Sequence, residues 1–169
     1  KLLIVGLAPG LHGANKTGRT FTGDHAGIIL YETLFKHGFS NKVNSESQDD
    51  GLKLNNCRIT NAVKCLPPLN KPLPIEIKNC NQFLRCEIEL LEPKTILLAL
   101  GTIAHNAILT ALNLAKKNFK FIHGARYELP NNLILYDSYH CSRYNTQTKR
   151  LTTKMFNNVF LSINKEIGG

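Results

Sequence analysis

The sequence predicts an α/β fold, a three-layer αβα sandwich with a mostly parallel, four-stranded central sheet. Three observations lead there. Continuous apolar runs at residues 1–6 and 95–100 are too short for helices and read as strands buried on both faces. Strand-like runs alternate about four times with segments whose apolar residues recur at helical spacing, and there is no internal repeat. The chain has 169 residues, 43% of them hydrophobic and 20% charged, which suits one well-cored domain and excludes a disordered basic tail.

The elements follow in order. Residues 1–6 form the first strand, and a helical face begins near Asp24 with Ala26, Ile29, Leu30, Thr33 and Leu34. The loop between them is longer than a compact domain needs for a connection, and loops of that kind are usually functional. Residues 57–63 read as the second strand. Pro67, Pro68, Pro72 and Pro74, four of the seven prolines, then make a stiff loop. Pro74 suits the first position of a helix carrying Ile77, Cys80, Leu84, Ile88 and Leu91, which Pro93 ends. After the strand at 95–100, Ala104, Ala107, Ile108, Ala111, Leu112 and Ala115 mark another helix. Residues 127–129 and 133–136 read as strand around a Pro130-Asn131-Asn132 turn, and Met155, Phe156, Val159 and Ile163 carry a final helix.

In such sheets ligands gather beyond the carboxyl ends of the strands. That rule selects residues 7–24, 61–65, 101–102 and 138–150, which hold most of the unusual polar chemistry. Lys and Arg number 21 against 12 Asp and Glu, a net charge of +9, so an acidic partner is expected and nucleic acid is the commonest. Solubility alone is the plainer reading of the same charge. No apolar run reaches the ~18 residues of a membrane span, so a cytoplasmic protein with no membrane partner is expected. Cys57, Cys65, Cys80, Cys86 and Cys141 show no close-spaced pairs, which argues against disulfides and leaves metal chemistry open. The chain enters its first strand at Lys1, and the expectation is a single catalytic domain, residues 1–169, cut from a longer protein.

The first loop, GLAPGLHGANKTGRTFTGD, has Gly10 and Lys16-Thr17 at nearly P-loop spacing. Asn15 stands where the second glycine belongs, and the helix is delayed to Asp24, so no nucleotide cofactor is expected. The glycines still let backbone N–H groups approach a ligand closely.

Together with ITNAVKCLPPLNKPLP and its later Asn-Cys, and with YHCSRYNTQTKRLT, this loop resembles the motifs of the family 5, type b, uracil-DNA glycosylases, in order over nearly the whole chain. The related family 4 carries an acidic residue where Leu7 stands. The resemblance implies a monofunctional glycosylase of base excision repair, a cytoplasmic, nucleoid-associated monomer that hydrolyses the bond to a flipped uracil in DNA. It extends to other deaminated bases, hypoxanthine and xanthine. No lysine stands out as a Schiff-base nucleophile, so lyase activity is not expected.

Cutting an N-glycosidic bond develops positive charge on the sugar and negative charge on the base, so the site needs an anion near C1′ and donors at the base oxygen. By resemblance Asp24 is the carboxylate, since the Gly-Leu-Ala-Pro-Gly segment lacks one; the plainer reading is a helix N-cap, and one residue can serve as both. His140 matches the residue that contacts uracil O2, where a neutral imidazole can donate one N–H. Gly6, Leu7, Ala8, Pro9 and Gly10 are expected to wall the base pocket, and Phe21 to stack on the base. Asn61 can accept from uracil N3–H and donate to O4 through one amide. It resembles the uracil-reading Asn of family 4, whereas some type b enzymes carry a small residue there.

Lys16, Thr17, Arg19, Ser142, Arg143, Tyr144, Asn145 and Arg150 are the candidate DNA contacts, with Arg143, Tyr144 and Asn145 in the loop that resembles the one entering the groove. Cys65 and Cys80 align with two ligands of a 4Fe-4S cluster, the other two falling upstream of Lys1. The competing reading is a non-catalytic module that binds nucleic acid or damaged DNA through the same basic edge.

Overall fold

The computed structural model describes residues 1–168. Five strands, β1 (Leu2–Gly6), β2 (Cys57–Asn61), β3 (Ile96–Leu100), β4 (Arg126–Leu129) and β5 (Leu133–Ser138), form one sheet in the order β2-β1-β3-β5-β4. The first three and β5 are parallel to one another. The fifth strand, one more than the fold class anticipates, is antiparallel: β4 folds back on β5 through the turn at Pro130–Asn132, where Asn131 and Asn132 take φ of 60° and 57°. A hairpin needs only such a short connection, whereas a parallel neighbour needs a crossover.

Alternate residues of the central strands feed two cores. Leu2, Ile4, Leu98 and Leu100 pack with α2 (His25–Lys36) and α6 (Thr153–Gly168), through residues such as Leu30, Leu34, Phe156 and Phe160. Leu3, Val5, Leu97 and Ala99 point the other way, onto Leu84 and Ile88 of α3 (Pro74–Glu89) and Ala104 and Ile108 of α4 (Thr102–Ala111). Coverage on both faces is why β1 and β3 read as unbroken apolar runs.

Helix boundaries follow local chemistry. Asp24 Oδ1 accepts from the Gly27 N–H at 3.0 Å and starts α2. Pro74 opens α3, and the Glu76 carboxylate accepts from the Leu73 N–H at 2.7 Å. Helix α4 stops at Ala111, short of Ala115, because Asn113 turns left-handed (φ 55°). The Asn113 N–H then reaches Thr110 O at 3.1 Å and the Leu114 N–H reaches Leu109 O at 2.8 Å, a Schellman closure. Two short helices, α1 (Ala14–Thr17) and α5 (Arg143–Gln147), lie in segments without helical periodicity. Among the described residues, no helix is long and apolar enough to cross a membrane.

The segment between α2 and β2 is pinned to the first loop by Arg19. Its guanidinium donates to Asp50 Oδ1 at 2.8 Å, Ser45 Oγ at 3.0 Å and Gln48 O at 2.6 Å. Burial pushes the Asp50 carboxyl up, but the Leu52 N–H, the Arg19 guanidinium and the Glu46 and Ser47 N–H groups together hold it well below the usual carboxylate range. A depressed folded-state pKa stabilises the fold above the unfolded value of about 4 and loses that contribution as pH falls. Asp50→Asn is therefore expected to lower the thermal unfolding midpoint at pH 7, with the difference from wild type shrinking steadily as the pH is taken down through the acid range.

Candidate active site

The carboxyl ends of β1, β2 and β5 surround a cleft of about 360 Å³ that contains Leu7, Ala8, Pro9, Gly10, Phe21, Asp24, Asn61, His140, Ser142 and Arg143. It therefore gathers both candidate catalytic residues and most of the candidate pocket residues from four separated stretches of sequence. Gly6 stands just behind it. A Cβ there would lie 2.5 Å from Asn61 Oδ1 and 2.7 Å from the Phe21 ring, so only glycine lets these two side chains meet at the end of β1.

Phe21 is 7% exposed and held at φ 56°, a left-handed conformation that costs roughly 1–2 kcal/mol for a residue with a Cβ. Its neighbours fix it there. The Tyr31 hydroxyl donates to Thr20 O at 2.7 Å, and the Phe21 carbonyl packs so closely on α2 that a Cβ at Gly27 would meet it at 1.8 Å. The ring faces His140, with centroids 5.9 Å apart.

Asp24 divides its two oxygens between two tasks. Oδ1 caps α2 through Gly27, while Oδ2 turns toward the glycines of the first loop, 2.4 Å from where a Gly13 Cβ would be and 3.6 Å from a Gly10 Cβ. Burial raises its pKa, and the N–H groups of Gly27 and Ala26 and the neighbouring His25 only partly offset the rise. His140 responds oppositely to the same surroundings. Burial pushes its pKa down to about 4, so the imidazole is neutral at neutral pH and carries one N–H to donate.

Asn61 ends β2 and is 5% exposed. Its Oδ1 is buried with no hydrogen-bond partner among the described residues, a costly condition for an acceptor in a folded interior. A ligand entering the cleft that Asn61 borders could supply the missing donor.

The candidate DNA contacts divide. Lys16, Arg143 and Tyr144 are exposed, Tyr144 at 71%. Arg150 lies over the Tyr139 ring, 4.9 Å from its centroid, beside a neighbouring cleft that Leu7 and His140 also border. Three others are engaged within the chain: Arg19 by Asp50, Thr17 by the carbonyl of Gly13 at 3.0 Å, and Asn145, whose Nδ2 donates to His140 O at 2.8 Å. Ser142 caps α5, accepting from the Asn145 N–H at 3.3 Å.

Cys65 is exposed after β2, and Cys80 is half-buried on α3. Two thiolates do not complete a four-thiolate cluster. Among the described residues no three His, Cys, Asp or Glu side chains are grouped to hold a metal, so these residues alone do not fit the group. Sequence reasoning also passed over Asn70, which reaches the cleft from the proline loop in a left-handed conformation (φ 57°). An Asn just after Pro-Pro-Leu is a turn signal that points to it.

Comparison with known proteins agrees with this geometry. Residues 1–164 match the family model described as Uracil DNA glycosylase superfamily. The chain is 45% identical over 168 residues to a type-5 uracil-DNA glycosylase of Thermus thermophilus, covering 99% of this chain and 76% of the relative. It is 44% identical over 156 residues to a type-5 enzyme of Pyrobaculum aerophilum, covering 91% of this chain and 66% of that one. A type-4 uracil-DNA glycosylase of Thermotoga maritima is 36% identical over 105 residues, covering 62% and 46%. The chain, which matches from its first strand into its last helix and holds in its cleft a carboxylate, a neutral imidazole, an aromatic ring and an unpaired amide oxygen, belongs to the uracil-DNA glycosylase superfamily.

Proposed function

We propose that this chain is the catalytic domain of a monofunctional uracil-DNA glycosylase, which hydrolyses the N-glycosidic bond of a uracil turned out of the duplex and leaves free base and an abasic site. The observation that carries the reading is the buried, unpartnered Asn61 Oδ1 in the same cleft as Asp24 and His140. Uracil N3–H is the donor that this oxygen lacks, and the amide N–H₂ of the same side chain meets O4. Cytosine presents an acceptor at N3 and a donor at N4, the reverse pattern. Hypoxanthine offers the uracil-like pair through N1–H and O6, which supports its inclusion with xanthine as a further substrate.

The flipped base stacks on Phe21, a contact worth about 1–3 kcal/mol in comparable systems. As the C1′–N1 bond breaks, its electron pair moves into the base and charge collects on O2, where the neutral His140 donates its N–H. Positive charge at C1′ faces the Asp24 carboxylate. Water attacks C1′, a C–O bond forms, and Asp24 takes the proton that the water gives up. The base leaves as an anion and is protonated from solvent. Lys16, Arg143 and Arg150 neutralise phosphates, Tyr144 probes the duplex, and Thr17, Arg19, Ser142 and Asn145 hold the loops that carry them.

Since Asp24 acts ionised and its pKa is raised, the rate is expected to climb with pH through an inflection above the ordinary carboxylate value. His140 is already neutral above about pH 5, so it adds no second limb near neutrality. Asp24→Asn keeps the helix cap yet is expected to abolish the acid limb and slow single-turnover uracil release by about 10²-fold or more, and His140→Ala by about 10²-fold. Release that survives Asp24→Asn contradicts the assignment. DNA binding with no base released in wild type returns the account to a non-catalytic module.

Cys65 and Cys80 are proposed as two thiolates of a 4Fe-4S cluster whose remaining ligands come from chain outside this sequence; no step of the reaction is routed through it. The full-length protein is expected to carry iron and broad visible absorption, and Cys65→Ser and Cys80→Ser each to lose both. Unchanged iron content in either variant contradicts the ligand assignment.

A further inference from the structure

Helix α5 is tied to both halves of the site. From its middle, Asn145 Nδ2 donates to His140 O at 2.8 Å. Nearer its end, Thr146 Oγ1 lies 3.2 Å from Ser142 O, 3.0 Å from Arg143 O and 3.1 Å from His25 Nε2. The hydroxyl carries one proton and Ser142 O already accepts from the Thr146 N–H, so the His25–Thr146 bond forms either with Nε2–H donating to Oγ1 or with the hydroxyl donating to Nε2. His25 is the first residue of α2, directly after Asp24, whose Oδ1 is locked in the cap. The bond joins residues 121 positions apart, and beside it Ile28 is 63% exposed at an open cleft. Buried Ile29 and Leu151 border the same cleft, and across it the hydrogen bond is a polar link from the start of α2 to α5.

We propose that His25 is a positioning residue: its hydrogen bond to Thr146 makes α5 and Asp24 one mechanical unit, so that seating α5 on duplex DNA sets the carboxylate as the base leaves the stack. This rests on the reading of Asp24 and α5 given above. The contact acts through Asp24 and touches no substrate atom. It matters when α5 must work against a stacked base. In a single strand the uracil is already accessible, and extrusion there asks little of α5.

The test is single-turnover uracil release by the full-length protein from duplex and from single-stranded uracil DNA, for wild type, His25→Ala, Thr146→Val, their double variant and His25→Gln. Losing one hydrogen bond is expected to slow duplex cleavage about fivefold in either single variant. The double variant is expected to lose no more than either single one, His25→Gln to recover most of the rate through an amide that can donate or accept, and single-strand cleavage to fall by a clearly smaller factor. Equal losses on both substrates, losses that multiply in the double variant, or no loss at all would overturn the proposal. Thr146→Val is nearly isosteric and lies on a half-exposed site, so it serves if His25→Ala unfolds. Failure of the underlying reading shows separately, as wild-type rates in Asp24→Asn on both substrates.

Discussion

The site depends on one carboxylate held in place by a helix. Asp24 Oδ1 satisfies the Gly27 N–H at the start of α2, which restricts the side chain and leaves Oδ2 against the loop glycines that border the cleft. Everything close to it is cut to fit. Gly13 has no Cβ because that atom would sit 2.4 Å from Oδ2, and Gly27 has none because it would strike the Phe21 carbonyl. In the proposed mechanism, capping and chemistry thus rest on the same geometric fact. A carboxylate on a mobile loop would need ordering with each substrate, whereas this one is ordered by folding.

The parallel sheet supplies the convergence. Strands β1, β2 and β5 end at one edge, and each delivers a different function: the glycine-rich loop, the Asn61 amide and the His140 imidazole. The same low-dielectric surroundings then act on two titratable groups with opposite sign. Burial disfavours charge, so it raises the acid Asp24 and lowers the base His140. The first effect costs some ionised carboxylate near the acid range. The second keeps the imidazole uncharged, so it can meet a developing anion as a hydrogen-bond donor across the neutral range.

Much of this was legible in the sequence because it is local. Residues 1–6 and 95–100 are buried on both faces and so carry the strand signal in composition alone, while Asp24 and Pro74 mark helix starts through chemistry confined to one turn. The cleft residues were legible by resemblance, and the strand-end rule placed them together. What escaped depends on distant partners. Arg19 reads as a phosphate contact until Asp50, in a stretch without periodicity, takes its guanidinium. Asn145 reads as a wedge until its amide is found on the His140 carbonyl. Helices α1 and α5 are too short to show a helical period, and Asn113 ends α4 through a left-handed turn that apolar spacing does not encode.

The central claim is that the cleft between Phe21, Asn61, Asp24 and His140 receives an extruded uracil. The structure of the full-length Asp24→Asn variant bound to duplex DNA containing uracil tests it most directly, since the substitution keeps the cap and is expected to slow the chemistry. The account predicts the base over Phe21, with N3–H on Asn61 Oδ1 and O2 within hydrogen-bonding distance of the His140 ring. A uracil still stacked in the helix, or held in another cleft with Asn61 Oδ1 unpartnered, would contradict it.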